Sequence, residues 1–404
     1  MSSISNDLLV EIFSRLPAKS IRRFRCLSKL WCFMYHRPYF TELFLTRYSA
    51  RPRLLFAVHE YQKSEWGFYS SCQPQNQNDK SSSLVVQRGF RLKFPEDTWS
   101  YFCGYASGLI CFRHASSPSE KDEGTVHVIC NPSTGQYEIL PKVGRGRDSN
   151  NSRSFLGFDP IDKQFKVLFV GADSSFYGGD FGILTLGTEK MSWRTIQCPL
   201  THKPSPLKGI CIDGVLYYIA YDETHHKKIV CFDVRSEIFN FIDNECELSQ
   251  LINYKGKLGV IKVFNADVSN GRRAPELRMW VLEDVEKQEW SKHYYTLMVD
   301  RFSYNNVSVV GVTATGEIVL SSYTTREAFY VFYYNPERNN LQSFEIQGKH
   351  EEGSAFCRNS VYAFADHVED LKFNVMKTTS ISSVAHQKSS LNPRPHLKKI
   401  TITS

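Results

Sequence analysis

The 404-residue sequence predicts an α+β multidomain chain, with a small three-helix head followed by an all-β, propeller-like body of about six blades. Three observations carry that expectation. Apolar residues at helical spacing are confined to about the first fifty positions. From about residue 53 to 373 the pattern changes to short runs rich in Val, Ile, Phe and Tyr, broken by Gly, Asn, Asp and Pro. The turns of five successive hairpins fall near Asn131, Gly187, Asp233, Glu283 and Asn335, at gaps of 56, 46, 50 and 52 residues. Four-stranded blades repeat at about 40–50 residues.

The head is read as three helices. Asn6 is expected to cap the first, in which Leu8, Leu9, Ile12, Phe13 and Leu16 form one broad apolar face. Pro17 ends that segment and suits the first turn of a second helix over 18–24. A third stretch, 26–35, carries Leu27, Leu30, Trp31 and Met34 at helical spacing. Helices this short bury little core alone, so their remaining apolar face must meet the next domain or a partner.

The body repeats an apolar run, a tight turn, a second run, a longer loop and another hairpin. Units begin with the runs 104–112, 155–170, 207–220, 251–263 and 307–321. IDG at 212–214, YKG at 254–256 and ATG at 314–316 place Gly where a hairpin turn needs positive φ. Segments 52–70 and 356–373 are expected to meet as a closing blade, removing open sheet edges. Two stacked β-sandwiches are the alternative, which the regular spacing disfavours. After about residue 374 the chain is rich in Ser, Thr and Lys and lacks aromatic residues, and 375–404 is expected to be a disordered basic tail. The expected division is therefore 1–48, 49–374 and 375–404.

The net charge of +7 is unevenly placed. Residues 1–60 hold 10 Lys+Arg against 4 Asp+Glu, and 375–404 hold 5 against none, while 61–374 carry 34 against 38. A mildly acidic body argues against a nucleic-acid face. A basic head suits an acidic protein partner. The longest apolar run, 328–334, is too short to span a membrane, and no secretory leader is visible. The sequence thus predicts a chain without membrane contact, working in the cytoplasm, the nucleus or both. Its 11 cysteines, with no C-x-x-C pair, are expected to be reduced thiols, most of them buried in apolar runs, that hold no metal.

The segment 7–31, DLLVEIFSRLPAKSIRRFRCLSKLW, resembles the F-box of a large plant family. Asp7, Leu8, Glu11, Ile12, Arg15, Leu16 and Pro17 match the first half of that family's pattern, and Lys19, Ser20, Arg23, Phe24, Arg25, Cys26, Ser28, Lys29 and Trp31 the second. The body is similar to the family's F-box-associated domain in GLICF, NPSTGQYEILP, LGFDPIDKQFKV and GVLYYIA. The resemblance implies that the head docks on a Skp-type adaptor, the small acidic subunit of a cullin–RING ubiquitin ligase, while the body holds an unknown target. The implied adaptor contacts are Leu8, Leu9, Ile12, Leu16, Pro17, Ile21 and Arg25, with Trp31 in the head core. The family's Pro two residues before the Asp is replaced by Ser5, which predicts adaptor binding weaker by about 1 kcal/mol.

Nothing points to catalysis or a cofactor. No G-x-S-x-G elbow, H-E-x-x-H or Walker loop is present. GRG at 144–146 and YGGDFG at 177–182 lack the strand-to-helix context of a phosphate cradle, and His225-His226 sits in a charged loop without further ligands. The expected function is the non-catalytic substrate-recognition subunit of an SCF-type ligase. The alternatives are a stand-alone interaction scaffold with a degenerate F-box and, last, a metabolite-binding propeller enzyme, which would need convergent carboxylates. Target recognition is expected on the polar insertions 116–124, 144–154, 171–180 and 265–276.

Overall fold

The structure is a computed structural model that describes residues 5–35, 37–49, 51–60, 63–74, 83–95, 98–116, 125–143, 152–171, 180–243, 249–268, 272–297, 307–322, 329–347, 360–371 and 401–403. The head has four helices rather than three: α1 (Asn6–Phe13), α2 (Ala18–Arg25), α3 (Lys29–Tyr35) and α4 (Pro38–Ser49). The fourth places Phe40 and Phe44 against Phe13, Ile21, Met34 and Tyr35 and so completes a core that three short helices could not close. It also carries helix past the expected boundary at 48. Phe13 touches Phe24, Trp31 and Tyr35 at ring distances of 5.1–5.4 Å, which fixes the three helices around one aromatic centre.

The body is a six-bladed propeller. Five blades are continuous in sequence, over 98–139, 153–196, 202–243, 250–296 and 307–347. The remaining blade is composite: Ser360–His367 pairs antiparallel with Arg53–Glu60, followed by Glu65–Cys72 and Gln87–Lys93. The expected closure of the two ends is thus observed. Two further clasps bind the ring. Ser83–Val85 pairs in parallel with Asn340–Gln347 on the outer edge of the last blade. Thr401–Thr403 pairs with Gln87–Lys93; these three residues depart from the expected disordered tail, and the rest of 375–404 lies outside the described residues.

The predicted turns form as their chemistry requires. Asp213 and Gly214 take φ of 44° and 86°, and Lys255 and Gly256 take 52° and 86°. Two consecutive positive values make the primed turn whose twist matches a tight hairpin.

Six apolar clusters hold the ring, one at each junction between neighbouring blades. Alternation along the strands creates them, because both faces of every blade are covered by a neighbour. At the junction of the composite blade with the next, Trp66 is fully buried, lies 4.5 Å from Phe112 and donates its Nε1–H to Ser100 Oγ at 2.8 Å. Phe102 and Tyr105 stack on Tyr362 and Phe364 at 4.6–5.6 Å, joining the inner strands of those same two blades.

Five buried histidines give the fold a pH dependence. Burial lowers His59, His114 and His202 to about 4, and His127 and His367 to about 3. Four of the neutral rings are hydrogen-bonded: His59 Nε2 to Ser100 Oγ at 3.3 Å, His127 Nε2 to Ser154 Oγ at 2.6 Å, His202 Nε2 to Tyr218 OH at 2.7 Å, and His367 between Tyr105 OH and Ser133 Oγ at 3.0 Å each. Because each folded-state value lies below the unfolded value of about 6.5, the unfolded chain takes up protons first as pH falls. Stability is complete above about pH 6.5 and declines below it, by about 1 kcal/mol per histidine at pH 5.5. The expected result is a melting temperature that drops steadily from pH 7.5 to 5.5; a flat profile over that range contradicts it.

Candidate adaptor-binding face and target rim

The helical segments divide their apolar residues between a core and an open face. Ser5 is the N-cap of α1, its Oγ accepting the Leu8 N–H at 3.3 Å, whereas Asn6 is the first helical residue and not the cap. From that start, Phe13 turns inward while Leu8 and Ile12, one helical turn apart, remain 57% and 49% exposed. Leu9 and Leu16 lie partly buried against the head core, and Pro17 and Arg25 are half-buried. Ile21, expected on the contact face, is fully buried among Phe13, Phe40 and Phe44 and so serves the head core. Sequence reasoning missed three others: Leu27, Leu30 and Phe33 stand 57–70% exposed on and before α3. Leu27 and Leu30 were read at helical spacing with Trp31 and Met34, but of those four only Trp31 and Met34 turn inward.

Charge follows the same division. Glu11 accepts from Arg47 of α4 at 2.6 Å and from Arg15, and these bonds lower its pKa. Of the basic side chains of α2, Lys19, Arg22 and Arg23 are exposed and Arg25 is half-buried, which adds to the positive charge of the head.

A carboxylate from the C-terminal end of the propeller sequence docks the head. The N-cap of α2 is Pro17, which offers no side-chain acceptor. Glu369 supplies one instead: its Oε2 accepts the Ala18 N–H at 2.9 Å, while its other oxygen lies 3.5 Å from Arg53 Nε, with both side chains about nine-tenths buried. Leu371 enters the head core, and Lys19 donates to the Arg88 carbonyl at 3.1 Å. Gly135, at φ +70°, lies directly under the Arg22 guanidinium, where a Cβ would collide at 2.4 Å. Head and propeller therefore share one joint. Replacing Glu369 by Ala should cost about 3 kcal/mol, since it orphans a buried charge and uncaps a helix. Glu369→Gln, which keeps an acceptor, should cost less; equal urea midpoints for the Ala variant and the wild type contradict this account.

The joint fixes which rim of the propeller faces away. Every blade starts with its inner strand and runs as an antiparallel meander, so all six inner strands point the same way along the channel. Glu369 and Leu371 follow the end of the inner strand Ser360–His367, which places the head at the rim where inner strands end. The strands flanking 116–124, 144–154 and 171–180 meet the opposite rim. The stretch 265–276, expected as a loop, is mostly strand: Lys257–Val268 and Arg272–Asp284 pair as far as Val268 with Arg272, and this long hairpin also ends at the far rim. The residues inside the first three insertions are largely outside the described residues.

Among the described residues no group of three or more His, Cys, Asp or Glu side chains could hold a metal, and no helix is long and apolar enough to cross a membrane. Four of the described free cysteines, Cys103, Cys111, Cys130 and Cys231, are buried, and burial raises the Cys231 thiol to about 12.

Comparison with known proteins agrees with both parts of this architecture. Residues 1–34 match the F-box domain family, and residues 53–368 match the family described as the F-box associated beta propeller domain. F-box protein At3g57590 of Arabidopsis thaliana is 48% identical over 408 residues, covering 97% of this chain and 97% of its own length. F-box protein At2g15640 of the same plant is 47% identical over 420 residues, covering 93% of this chain and 95% of its own. Among solved structures, the β-propeller domain of the Trilobed protease from Pyrococcus furiosus aligns at a TM-score of 0.38 and 14% identity, over 62% of this chain and 72% of that one. The chain belongs to the F-box proteins that carry an F-box associated β-propeller domain.

Proposed function

We propose that this protein is the substrate-recognition subunit of an SCF-type cullin–RING ubiquitin ligase, binding a Skp-type adaptor through its head and a target protein through the far rim of its propeller. The observation that carries the reading is the exposed apolar pair Leu8 and Ile12 on a helix whose inward residues already fill a closed core. An exposed apolar helix face on a head of net positive charge suits a groove on an acidic partner. Leu9, Leu16, Pro17 and Arg25, all partly exposed, are the further contacts this reading assigns to the head. The propeller contributes proximity: it presents a target lysine to a charged conjugating enzyme and raises its effective concentration, with no acid, base or nucleophile of its own. Keeping the two binding faces on opposite sides of a rigid joint lets both be occupied together.

The test is reconstitution. Full-length chain, adaptor, cullin and RING subunit should assemble into one complex, and a protein captured by the propeller should be ubiquitinated only when the chain's head is intact. A chain that assembles with none of the ligase subunits is instead a stand-alone scaffold. Ser5 gives a finer check. Its φ of −63° is one that Pro adopts, so Ser5→Pro is expected to tighten adaptor binding about fivefold despite loss of the capping oxygen. Unchanged affinity means that this position makes no contact.

A further inference from the structure

One inner strand of the propeller is broken, and the break carries a lysine into the central channel. In the blade over 202–243, the third of the five continuous ones, His202–Pro204 and Ile210–Ile212 both pair with Val215–Asp222, as two halves of one strand separated by 205–209. Lys208 projects from this excursion to the opposite wall, its Nζ 4.2 Å from the Tyr362 ring and 5.8 Å from that of Phe102. Gly209 makes the excursion possible, because a Cβ there would meet the Phe155 ring at 2.8 Å and the Tyr217 carbonyl at 2.9 Å. The channel walls crowd the ammonium and lower it to about 8, although the stem of the side chain remains exposed in the channel.

Beside Lys208 lies a cavity of about 390 Å³ lined from five blades. Two more cations enter it. Arg113 and Arg153 both donate to the Ser152 carbonyl, at 2.7 and 2.9 Å, and burial followed by the nearby Arg113 charge lowers Arg153. Tyr101, Phe102 and Tyr362 supply flat apolar walls, and Gln250 is a polar neighbour. No carboxylate is found among the described lining residues. Like charges gathered in a channel with low-dielectric walls focus a positive potential. The volume suits a small molecule and is far too small for a folded partner.

We propose that this channel cavity binds a small organic anion, a carboxylate or phosphate carried on a planar apolar body, with Lys208 and Arg153 holding the charge and the aromatic walls holding the ring. The site is independent of the ligase reading, since it needs neither adaptor nor target.

The test is calorimetric titration of the full chain with phenyl phosphate, benzoate, inorganic phosphate and benzyl alcohol, the last two offering charge alone and ring alone. Phenyl phosphate or benzoate should bind at least tenfold tighter than either partial probe, and the tighter of the two identifies the anionic group. Lys208→Gln should weaken that binding at least tenfold, and Lys208→Arg should retain most of it. Lys208 is exposed in the channel, so a melting curve matching the wild type will show that the Gln variant is folded. Equal binding of all four probes, or binding untouched by Lys208→Gln, overturns the proposal. So does binding of an acidic peptide with none of phenyl phosphate or benzoate, which assigns the channel to a protein tail.

Discussion

Leu8→Asp combined with Ile12→Asp is expected to abolish capture of a Skp-type adaptor while leaving the protein folded. Both side chains are about half exposed and outside the head core, so neither change opens a cavity. An acid at position 8 also lies in the first turn of α1, where the helix dipole favours it. If the two residues are apolar anchors, burying a charge at each should cost at least about 3 kcal/mol in total, a hundredfold or more in affinity. Ile21→Ala provides the contrast. Ile21 is fully buried, so its truncation should destabilise the head by 2–5 kcal/mol and reduce adaptor capture only through unfolding. Circular dichroism and urea melts of both variants separate the two cases. Adaptor binding by the folded double variant at wild-type strength removes α1 from the interface.

Truncation before Ser360 should unfold the propeller. That cut removes the inner strand of the composite blade and with it Val361 and Ala363, which pack on Val319, Val331 and Phe344 of the last blade. It also removes Tyr362 and Phe364 from the aromatic contacts to Phe102 and Tyr105. Burial of four such side chains contributes on the order of 6 kcal/mol, comparable with the whole stability of a typical domain. The cut exposes two sheet edges as well, which invites association. A chain ending at residue 371 keeps this strand, Glu369 and Leu371, and loses only the outer clasp of Thr401–Thr403 among described elements. It should therefore melt cooperatively near the wild-type midpoint, whereas the chain ending at 359 should show no cooperative transition. Similar melts for the two truncations contradict a ring closed by this strand.

Much of this fold was legible because propeller blades repeat a local code. Hairpin turns need positive φ, so Gly214 and Gly256 announce them, and the near-continuous apolar runs between turns follow from burial on both faces. The closing of residues 53–60 with 360–367 could be expected on the same logic, since a ring leaves no edge. Long-range choices were less visible. The spacing of Leu27, Leu30, Trp31 and Met34 is helical, but only packing with α4 decides which of them turn inward. Ile21 lay within the same apolar pattern as Leu8 and Ile12 and proved to be core for that reason. Glu369 caps α2 from 351 residues away, a relation that no local pattern encodes. The run LKGICIDG read as an ordinary strand, yet its start lies in the break that sends Lys208 across the channel, and Pro204, Pro206 and Gly209 were the local signs of it.

The most direct test of the central claim is the affinity of the purified full-length wild-type chain for a Skp-type adaptor, measured by calorimetry at physiological salt. A saturable one-to-one complex is expected, mainly apolar in character and tightened at low salt by the basic head. A well-folded chain that shows no binding under those conditions contradicts it, and leaves the exposed face of α1 without the partner assigned to it here.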